Sequence, residues 1–231
     1  MKIKTISVVS FFIFWVMASS IGFAQDDWAK FQKYQYDNSE LMKDRSKASP
    51  DIVFMGNSIT EGWAKEDPSF FTDHNFVGRG ISGQTTYQML VRFREDVVNL
   101  HPEYVLINGG TNDVAENNHV YNEERTLGNI ISMCELAEAN GIKPILSSVL
   151  PATQFHWRKS VTDVPEKIQS LNTKIKRYAD SKGYKYVDYY PALSTDRGAL
   201  NPSYTRDGVH PTLKGYKEME KVLLETLNNY R

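Results

Sequence analysis

Short apolar runs recur along the chain, and several end at residues that favour turns. Five of these runs have the length of a buried strand rather than of a helix. They occupy residues 51–55, 76–77, 104–108, 144–150 and 184–189. Glycine bounds the first three, at Gly56, Gly78 and Gly109, as is common where a strand runs into a loop. The pattern therefore predicts five short buried strands.

The segments around these runs carry apolar residues at helical spacing. In residues 166–182, for example, the stripe consists of Ile168, Leu171, Ile175 and Tyr178. The predicted helices cover residues 26–48 (an amphipathic lead-in), 87–97, 122–140, 166–182 and 213–230. Strands that alternate with helices form a mostly parallel sheet with helices packed on it. We therefore predict an α/β sandwich with about five mostly parallel strands.

The first 24 residues have the pattern of a secretory signal peptide. Two lysines precede a nearly uninterrupted apolar stretch (6–18), and Gly22-Phe23-Ala24 offers small residues for a cleavage site. We expect residues 1–24 to be removed, leaving residues 25–231 as a single domain that is secreted or periplasmic. An uncleaved membrane anchor is the alternative, because the apolar stretch is nearly long enough to span a bilayer.

Charge and cysteine content narrow the function classes. The formal net charge is −1, and it becomes −3 without residues 1–24, which carry two lysines and no acidic residue. This balance argues against nucleic acid as a partner, and no other segment predicts membrane contact after signal cleavage. Cys134 is the only cysteine, and it lies on the apolar side of a predicted helix, as a buried structural thiol does. No metal is expected, because the histidines lack zinc-ligand spacing, and the oligomeric state stays open.

Polar motifs follow the first three predicted strands and precede the last helix. They contain Ser58, Gly83, Asn112 and the pair Asp207 and His210. Open α/β sheets bind ligands at the carboxyl ends of their strands, so we expect these motifs to meet at one edge. Each has an ordinary alternative: a helix-capping serine, a turn glycine or asparagine, and a loop histidine.

Together these residues supply the groups that ester hydrolysis requires. A serine hydroxyl becomes nucleophilic when a histidine takes its proton, and a carboxylate on the other ring nitrogen orients that histidine. The backbone N–H groups of Ser58 and Gly83, with the amide of Asn112, could donate to the oxyanion. This chemistry predicts a serine hydrolase that needs neither a metal nor an organic cofactor.

In order and approximate spacing, the motifs resemble those of the SGNH/GDSL hydrolase family, from the first predicted strand to the last helix. The resemblance implies a catalytic triad of Ser58, Asp207 and His210, and an oxyanion hole of Ser58, Gly83 and Asn112. It also implies a flavodoxin-like, three-layer α/β/α sandwich. Asn57 departs from the family, which often has Gly-Asp-Ser-Leu where this chain has Gly-Asn-Ser-Ile. That position is outside the triad, so the departure leaves the chemistry intact.

The substrate is less sharply defined. Candidate substrate-binding residues are Trp63 after Ser58, Arg79 before the Gly83 loop and Trp157 in the loop after the fourth predicted strand. Aromatic faces suit sugar rings as well as acyl chains, and an arginine could grip a carboxylate or hydroxyls. No long apolar loop indicates a lipase lid. We predict hydrolysis of short acyl esters, O-acetyl groups above all, on carbohydrates. The ester substrate is expected to be a small molecule or a polysaccharide. The resemblance equally implies lysophospholipase, thioesterase or platelet-activating-factor acetylhydrolase-like activity, and non-catalytic glycan binding or acyl transfer to a sugar are further alternatives.

Overall fold

The computed structural model describes residues 27–43 and 49–228, and five parallel strands form its central sheet. The strands are β1 (Ile52–Gly56), β2 (Phe76–Gly80), β3 (Tyr104–Asn108), β4 (Lys143–Ser147) and β5 (Lys185–Val187). Their spatial order is β2-β1-β3-β4-β5. Gly56 at the end of β1 pairs with both Gly80 and Asn108. The carboxyl ends of the three neighbouring strands are therefore level, and the loops that follow them start side by side.

Helices cover both faces of this sheet. They are α1 (Gln32–Lys43), α2 (Ser58–Glu66), α3 (Pro68–Asp73), α4 (Thr86–Asp96), α5 (Thr111–Val114), α6 (Glu123–Glu138), α7 (Val164–Lys182), α8 (Tyr189–Leu193) and α9 (Leu213–Asn228), with a 3₁₀ turn at Val98–Leu100. Helices α4, α6 and α7 pack on one face, and α2, α3 and α9 pack on the other. The predicted three-layer α/β/α sandwich is confirmed.

Strand β1 shows why helices must cover both faces of the sheet. All five of its residues are buried. Val53 and Met55 belong to the core beneath α4, α6 and α7, whereas Ile52 and Phe54 belong to the core beneath α2 and α9. Successive side chains of a strand point to opposite faces, so an apolar residue at every position needs apolar partners on both sides.

Three predicted strand ends differ clearly from the structure, and β4 is one of them, since it ends at Ser147 and not at residue 150. Strand β2 continues through Gly78 to Gly80, and these glycines serve packing rather than strand termination. A Cβ on Gly80 would lie 2.2 Å from the backbone nitrogen of Glu61, so only glycine lets β2 approach α2 this closely. Strand β5 ends at Val187, because Tyr189 starts α8 instead of extending the strand.

The predicted signal peptide, residues 1–24, lies outside the described residues. Within residues 27–43 and 49–228, no helix has both the length and the apolar character needed to cross a bilayer. Cys134 is buried, and burial raises the pKa of its thiol to about 12. It packs in the core between the sheet and α6.

Candidate active site

Ser58 is the first residue of α2, directly after β1. The helix cap is supplied by Asn57, whose side-chain oxygen accepts from the backbone N–H of Ile59 at 3.0 Å. Ser58 is therefore not needed as the cap, and its Oγ lies 2.9 Å from Nε2 of His210. The capping explanation of Ser58 applies to its neighbour instead, and the Ser58 hydroxyl faces a histidine 152 positions away.

His210 is held by Asp207 at both its ring and its backbone. Nδ1 of His210 lies 2.7 Å from Oδ2 of Asp207, while the backbone N–H groups of His210 and Val209 donate to Oδ1 at 2.8 and 2.9 Å. An ionised carboxylate only accepts hydrogen bonds, so the ring carries its proton on Nδ1. Nε2 is then an acceptor for the hydroxyl of Ser58.

The carboxylate of Asp207 stays ionised far into the acid range. Partial burial opposes ionisation, but the hydrogen bonds from the ring and backbone of His210 and from the backbone of Val209 outweigh it. Together they lower the pKa of Asp207 to about 2. Thr205 fastens the same loop, because its hydroxyl donates to the carbonyl of His210 at 2.7 Å. The acid that orients the imidazole is therefore charged throughout the neutral range.

Gly83 and Asn112 lie on two loops that are hydrogen-bonded to each other. Gly83 has a φ of +81°, a conformation that favours glycine. Asn112 lies in α5, and its Nδ2 donates to the carbonyl of Gln84 at 2.9 Å. That bond takes one of the two N–H groups of the amide. The loop after β2 and the loop after β3 thus form a single wall at the carboxyl edge of the sheet.

Residues 54–218 match the model of the GDSL-like Lipase/Acylhydrolase family. The chain belongs to this family. The members of this family are carboxylic ester hydrolases, and its membership makes this chain a carboxylic ester hydrolase as well. The match runs from β1 into α9, so it includes Ser58, both loops of the wall and the Asp207–His210 pair.

Several similar proteins are named as esterases or lipases. The crystal structure of a GDSL-like lipase from Bacteroides thetaiotaomicron is 50% identical, covers 89% of this chain and 100% of that chain, and superposes with a TM-score of 0.82. A multidomain esterase of Ruminococcus flavefaciens is 25% identical over 224 residues, which is 93% of this chain but 28% of the esterase. An acetylxylan esterase of Geobacillus stearothermophilus is 25% identical over 163 residues, covering 65% of this chain and 71% of that enzyme. The chain therefore spans less than a third of the multidomain relative.

Trp63 is buried in the core of this GDSL-type hydrolase, so the prediction that it binds substrate is wrong. Only 2% of Trp63 is exposed. Its ring stacks between Phe70 and Tyr216, with centroids 5.5 and 5.8 Å away, and its Nε1 donates to Glu220. Helix α2 starts at the edge with Ser58, but five residues later it faces the core beneath α9, where an indole gains more from packing.

Arg79 is likewise withdrawn from solvent, so the prediction that it grips substrate is wrong. It is 4% exposed. Its Nε donates to Oδ1 of Asn38 in α1 at 2.8 Å, and its guanidinium lies over the ring of Tyr34 at 4.7 Å. Burial lowers the pKa of Arg79 from its ordinary value. The side chain joins β2 to the lead-in helix instead of reaching the Gly83 loop.

Trp157 lies beside the catalytic candidates. Its ring centroid is 6.0 Å from that of His210, 37% of the residue is exposed, and it packs edge-on against His156. The indole Nε1 donates to Oδ1 of Asn117 at 2.8 Å. An aromatic face is therefore presented next to the imidazole in a fixed orientation. Asn117 itself was not singled out in the sequence, where it is one of several polar residues in a loop.

Glu61 is a second residue that the sequence did not reveal. It lies one helical turn after Ser58, and its Oε2 accepts from both the backbone N–H and the hydroxyl of Ser82 at 2.7 Å. Its Oε1 accepts from Lys33 and Lys65 at 2.7 and 2.6 Å. Burial opposes the charge, but these donors outweigh it and lower the pKa of Glu61 to about 2. Glu61 thus fastens the residue that precedes Gly83 to the helix that carries Ser58.

This contact predicts a pH-dependent loss of stability in Glu61→Gln. The folded-state pKa lies below the ordinary value of 4.5, so ionised Glu61 stabilises the fold fully above that value. The contribution is lost as the pH falls through about 2. We expect the variant to have a lower free energy of unfolding than the wild type at neutral pH, with a deficit that shrinks below about pH 4.5.

Urea unfolding at several pH values measures this deficit. Glu66→Gln is the matched control, because Glu66 is an exposed glutamate at the end of the same helix. The control should stay close to the wild type at every pH. A Glu61→Gln deficit that is the same in acid as at neutrality would contradict the assigned role of the carboxylate.

Proposed function

We propose that this protein is a secreted serine esterase that removes short acyl groups, O-acetyl groups above all, from carbohydrates. One observation carries the proposal: the unbroken hydrogen-bonded chain from Asp207 through His210 to Ser58, with separations of 2.7 and 2.9 Å. A capping serine and an isolated loop histidine do not require this alignment. A hydrolase of the serine type does.

In the proposed reaction, Nε2 of His210 takes the proton of Ser58 as Oγ attacks the ester carbonyl carbon. The carbonyl electron pair moves onto oxygen, and the resulting imidazolium is stabilised by the carboxylate of Asp207. Collapse of the tetrahedral intermediate expels the alcohol, which takes the proton from His210. Water activated by the same imidazole then attacks the acyl-enzyme, releases the carboxylic acid and restores Ser58.

The negative oxygen of the intermediate needs donors that are already in place. We assign this role to the backbone N–H groups of Ser58 and Gly83 and to the second N–H of Asn112. Ser58 lies at the N-terminus of α2, where the helix dipole favours negative charge. The first N–H of Asn112 is held by Gln84, so the amide is oriented before the substrate arrives, as effective oxyanion stabilisation requires.

Two features favour a sugar ester over a long-chain lipid. Trp157 presents a partly exposed ring beside His210, and an aromatic face of this kind stacks well against the C–H face of a sugar. Two relatives, the acetylxylan esterase and the multidomain esterase, are named as esterases. The similarity to a GDSL-like lipase keeps lysophospholipase or thioesterase activity as the second candidate.

A chain-length series of p-nitrophenyl esters separates these candidates. We expect kcat/KM to be highest for the acetate and to fall by about tenfold or more by the octanoate, because a site that fits an acetyl group excludes a longer chain sterically. Release of acetate from acetylated xylan should then exceed release from a matched acetylated alcohol without a sugar ring. A maximum on long chains would exclude the carbohydrate proposal and favour the lipid one.

Secretion is part of the same proposal. Residues 1–24 would direct export, and residues 25–231 would form one catalytic domain, acting outside the cytoplasm on a substrate that is itself extracellular. N-terminal sequencing of the exported protein tests this, with Gln25 as the expected first residue. A chain retained in the membrane fraction with residue 1 intact would contradict it.

A further inference from the structure

Asn117 contacts three separate parts of the active site. Its Nδ2 donates to Oδ1 of Asn112 at 2.8 Å and to the carbonyl oxygen of Gly83 at 3.3 Å. Its Oδ1 accepts from Nε1 of Trp157 at 2.8 Å. One amide side chain therefore joins both proposed oxyanion loops to the exposed ring beside His210.

The chemistry of these partners fixes which way each amide points. An indole N–H can only donate, so the oxygen end of Asn117 must face Trp157 and its NH₂ end must face Asn112. Asn112 is then obliged to present its oxygen to Asn117 and its NH₂ group to the carbonyl of Gln84. The direction of both amides follows from the indole, and it leaves the second N–H of Asn112 available to a ligand.

Hydrogen bonds restrain the backbone on both sides of the Gly83 N–H. Glu61 fastens the backbone and hydroxyl of the preceding Ser82. Asn117 fastens the carbonyl of Gly83 itself. The left-handed backbone of Gly83 has no side chain to restrain it, so the position of its N–H depends on these two contacts.

We propose that Asn117 is a positioning residue for the oxyanion hole, and that Trp157 sets its orientation. Asn117 acts mainly through the Asn112 amide, which it orients toward the developing negative charge without touching the reacting atoms. Its contact with the carbonyl of Gly83 is longer, 3.3 Å against 2.8 Å, and is secondary. Through the indole N–H, the partly exposed ring beside His210 is tied to the groups that stabilise the transition state. This inference rests on the proposed esterase function.

Asn117→Asp is the sharpest substitution, because aspartate still accepts from Trp157 but cannot donate to Asn112. Two oxygens would face each other, and the Asn112 amide would turn away from the oxyanion. Loss of one oxyanion donor costs about 10²- to 10³-fold, so misplacement should lower kcat for p-nitrophenyl acetate by about 10- to 100-fold. KM should stay within about threefold, since the effect falls on the transition state.

The kcat must be expressed per folded chain, quantified from far-UV circular dichroism and the cooperative unfolding transition, so that misfolded molecules are not counted. Asn118→Asp is the matched control: it places the same charge one residue away, where Asn118 contacts Gln88. We expect this control to stay within about threefold of the wild type in kcat. Trp157→Phe, which keeps the ring but removes the donor, should lower kcat in the same direction by about 3- to 10-fold.

A double substitution tests whether Asn117 acts through Asn112. In an Asn112→Ala background, Asn117→Asp should cost less than about threefold more, because the amide it orients is already gone. Effects that multiply, or an Asn117→Asp variant equal to the Asn118→Asp control, would overturn the proposal while a titratable, active wild type leaves the esterase function standing. A folded wild type that is neither labelled nor active would overturn both.

Discussion

Replacing Ser58 with alanine is expected to leave the fold intact and to lower kcat by about 10⁴- to 10⁶-fold. The fold should survive because Asn57 supplies the cap of α2 and the Ser58 hydroxyl contacts only His210 among the described residues. Activity should be lost because no acyl-enzyme can form without Oγ. Steady-state hydrolysis of p-nitrophenyl acetate and a thermal unfolding curve measure the two effects.

Ser203→Ala is the control for this substitution. Ser203 lies on the exposed surface of the loop that leads to Asp207, and within the described part of the chain its hydroxyl hydrogen-bonds only to the local Asn201. Its activity should equal that of the wild type. Turnover by Ser58→Ala at a rate near that of Ser203→Ala would rule out Ser58 as the nucleophile.

The second large effect is expected for the histidine and its acid. His210→Ala should lower kcat nearly as far as Ser58→Ala, because the hydroxyl then has no base to take its proton. Asp207→Ala should cost somewhat less, on the order of 10⁴-fold, since the imidazole remains but loses the partner that sets its tautomer. His101→Asn changes an exposed histidine after the 3₁₀ turn and should have no effect.

A double variant separates a shared role from two independent ones. Residues of a triad act as a unit, so Ser58→Ala with His210→Ala should be no slower than Ser58→Ala alone, within about threefold. A further loss that equals the single effect of His210→Ala would show that the two residues act independently, contrary to the proposed chain of hydrogen bonds.

The fold was predictable because its pattern is local. Apolar runs of strand length alternate with helical stripes, and the predicted α/β/α sandwich with five parallel strands is what the structure has. The exact ends of the strands were harder to predict from the sequence. Gly78 and Gly80 resemble turn residues in the sequence, and only the close contact of β2 with α2 explains why they lie within a strand.

The sequence predicted those residues of the site that belong to its ordered motifs. His210 lies within hydrogen-bonding distance of both Ser58 and Asp207, as the level strand ends of an open sheet allow. The catalytic roles of the three residues remain predictions. Trp63 was misjudged because closeness in sequence to Ser58 says nothing about which side of a short helix a residue occupies. Arg79 was misjudged because its partner, Asn38, is 41 positions away.

Asn117 and Glu61 were missed for a related reason. Neither belongs to a motif, and each matters only through what it touches across loops. Asn117 reaches Gly83 over 34 positions and Trp157 over 40. Glu61 accepts hydrogen bonds from Lys33, which precedes β1 in the sequence, and from Ser82, which follows β2. Residues that orient others are hard to recognise in one sequence, since an amide in a polar loop or a carboxylate on a helix is ordinarily solvated.

Mass-spectrometric mapping of a fluorophosphonate adduct tests the central claim most directly. The probe reacts with a serine only when a base removes its proton and donors stabilise the developing charge, so it reports the assembled site and not a single residue. We expect one adduct per folded chain, on the peptide that contains Ser58, and none in Ser58→Ala or His210→Ala. A folded wild-type protein that carries no adduct, or carries it on another serine, would contradict the claim that these loops form a hydrolytic centre.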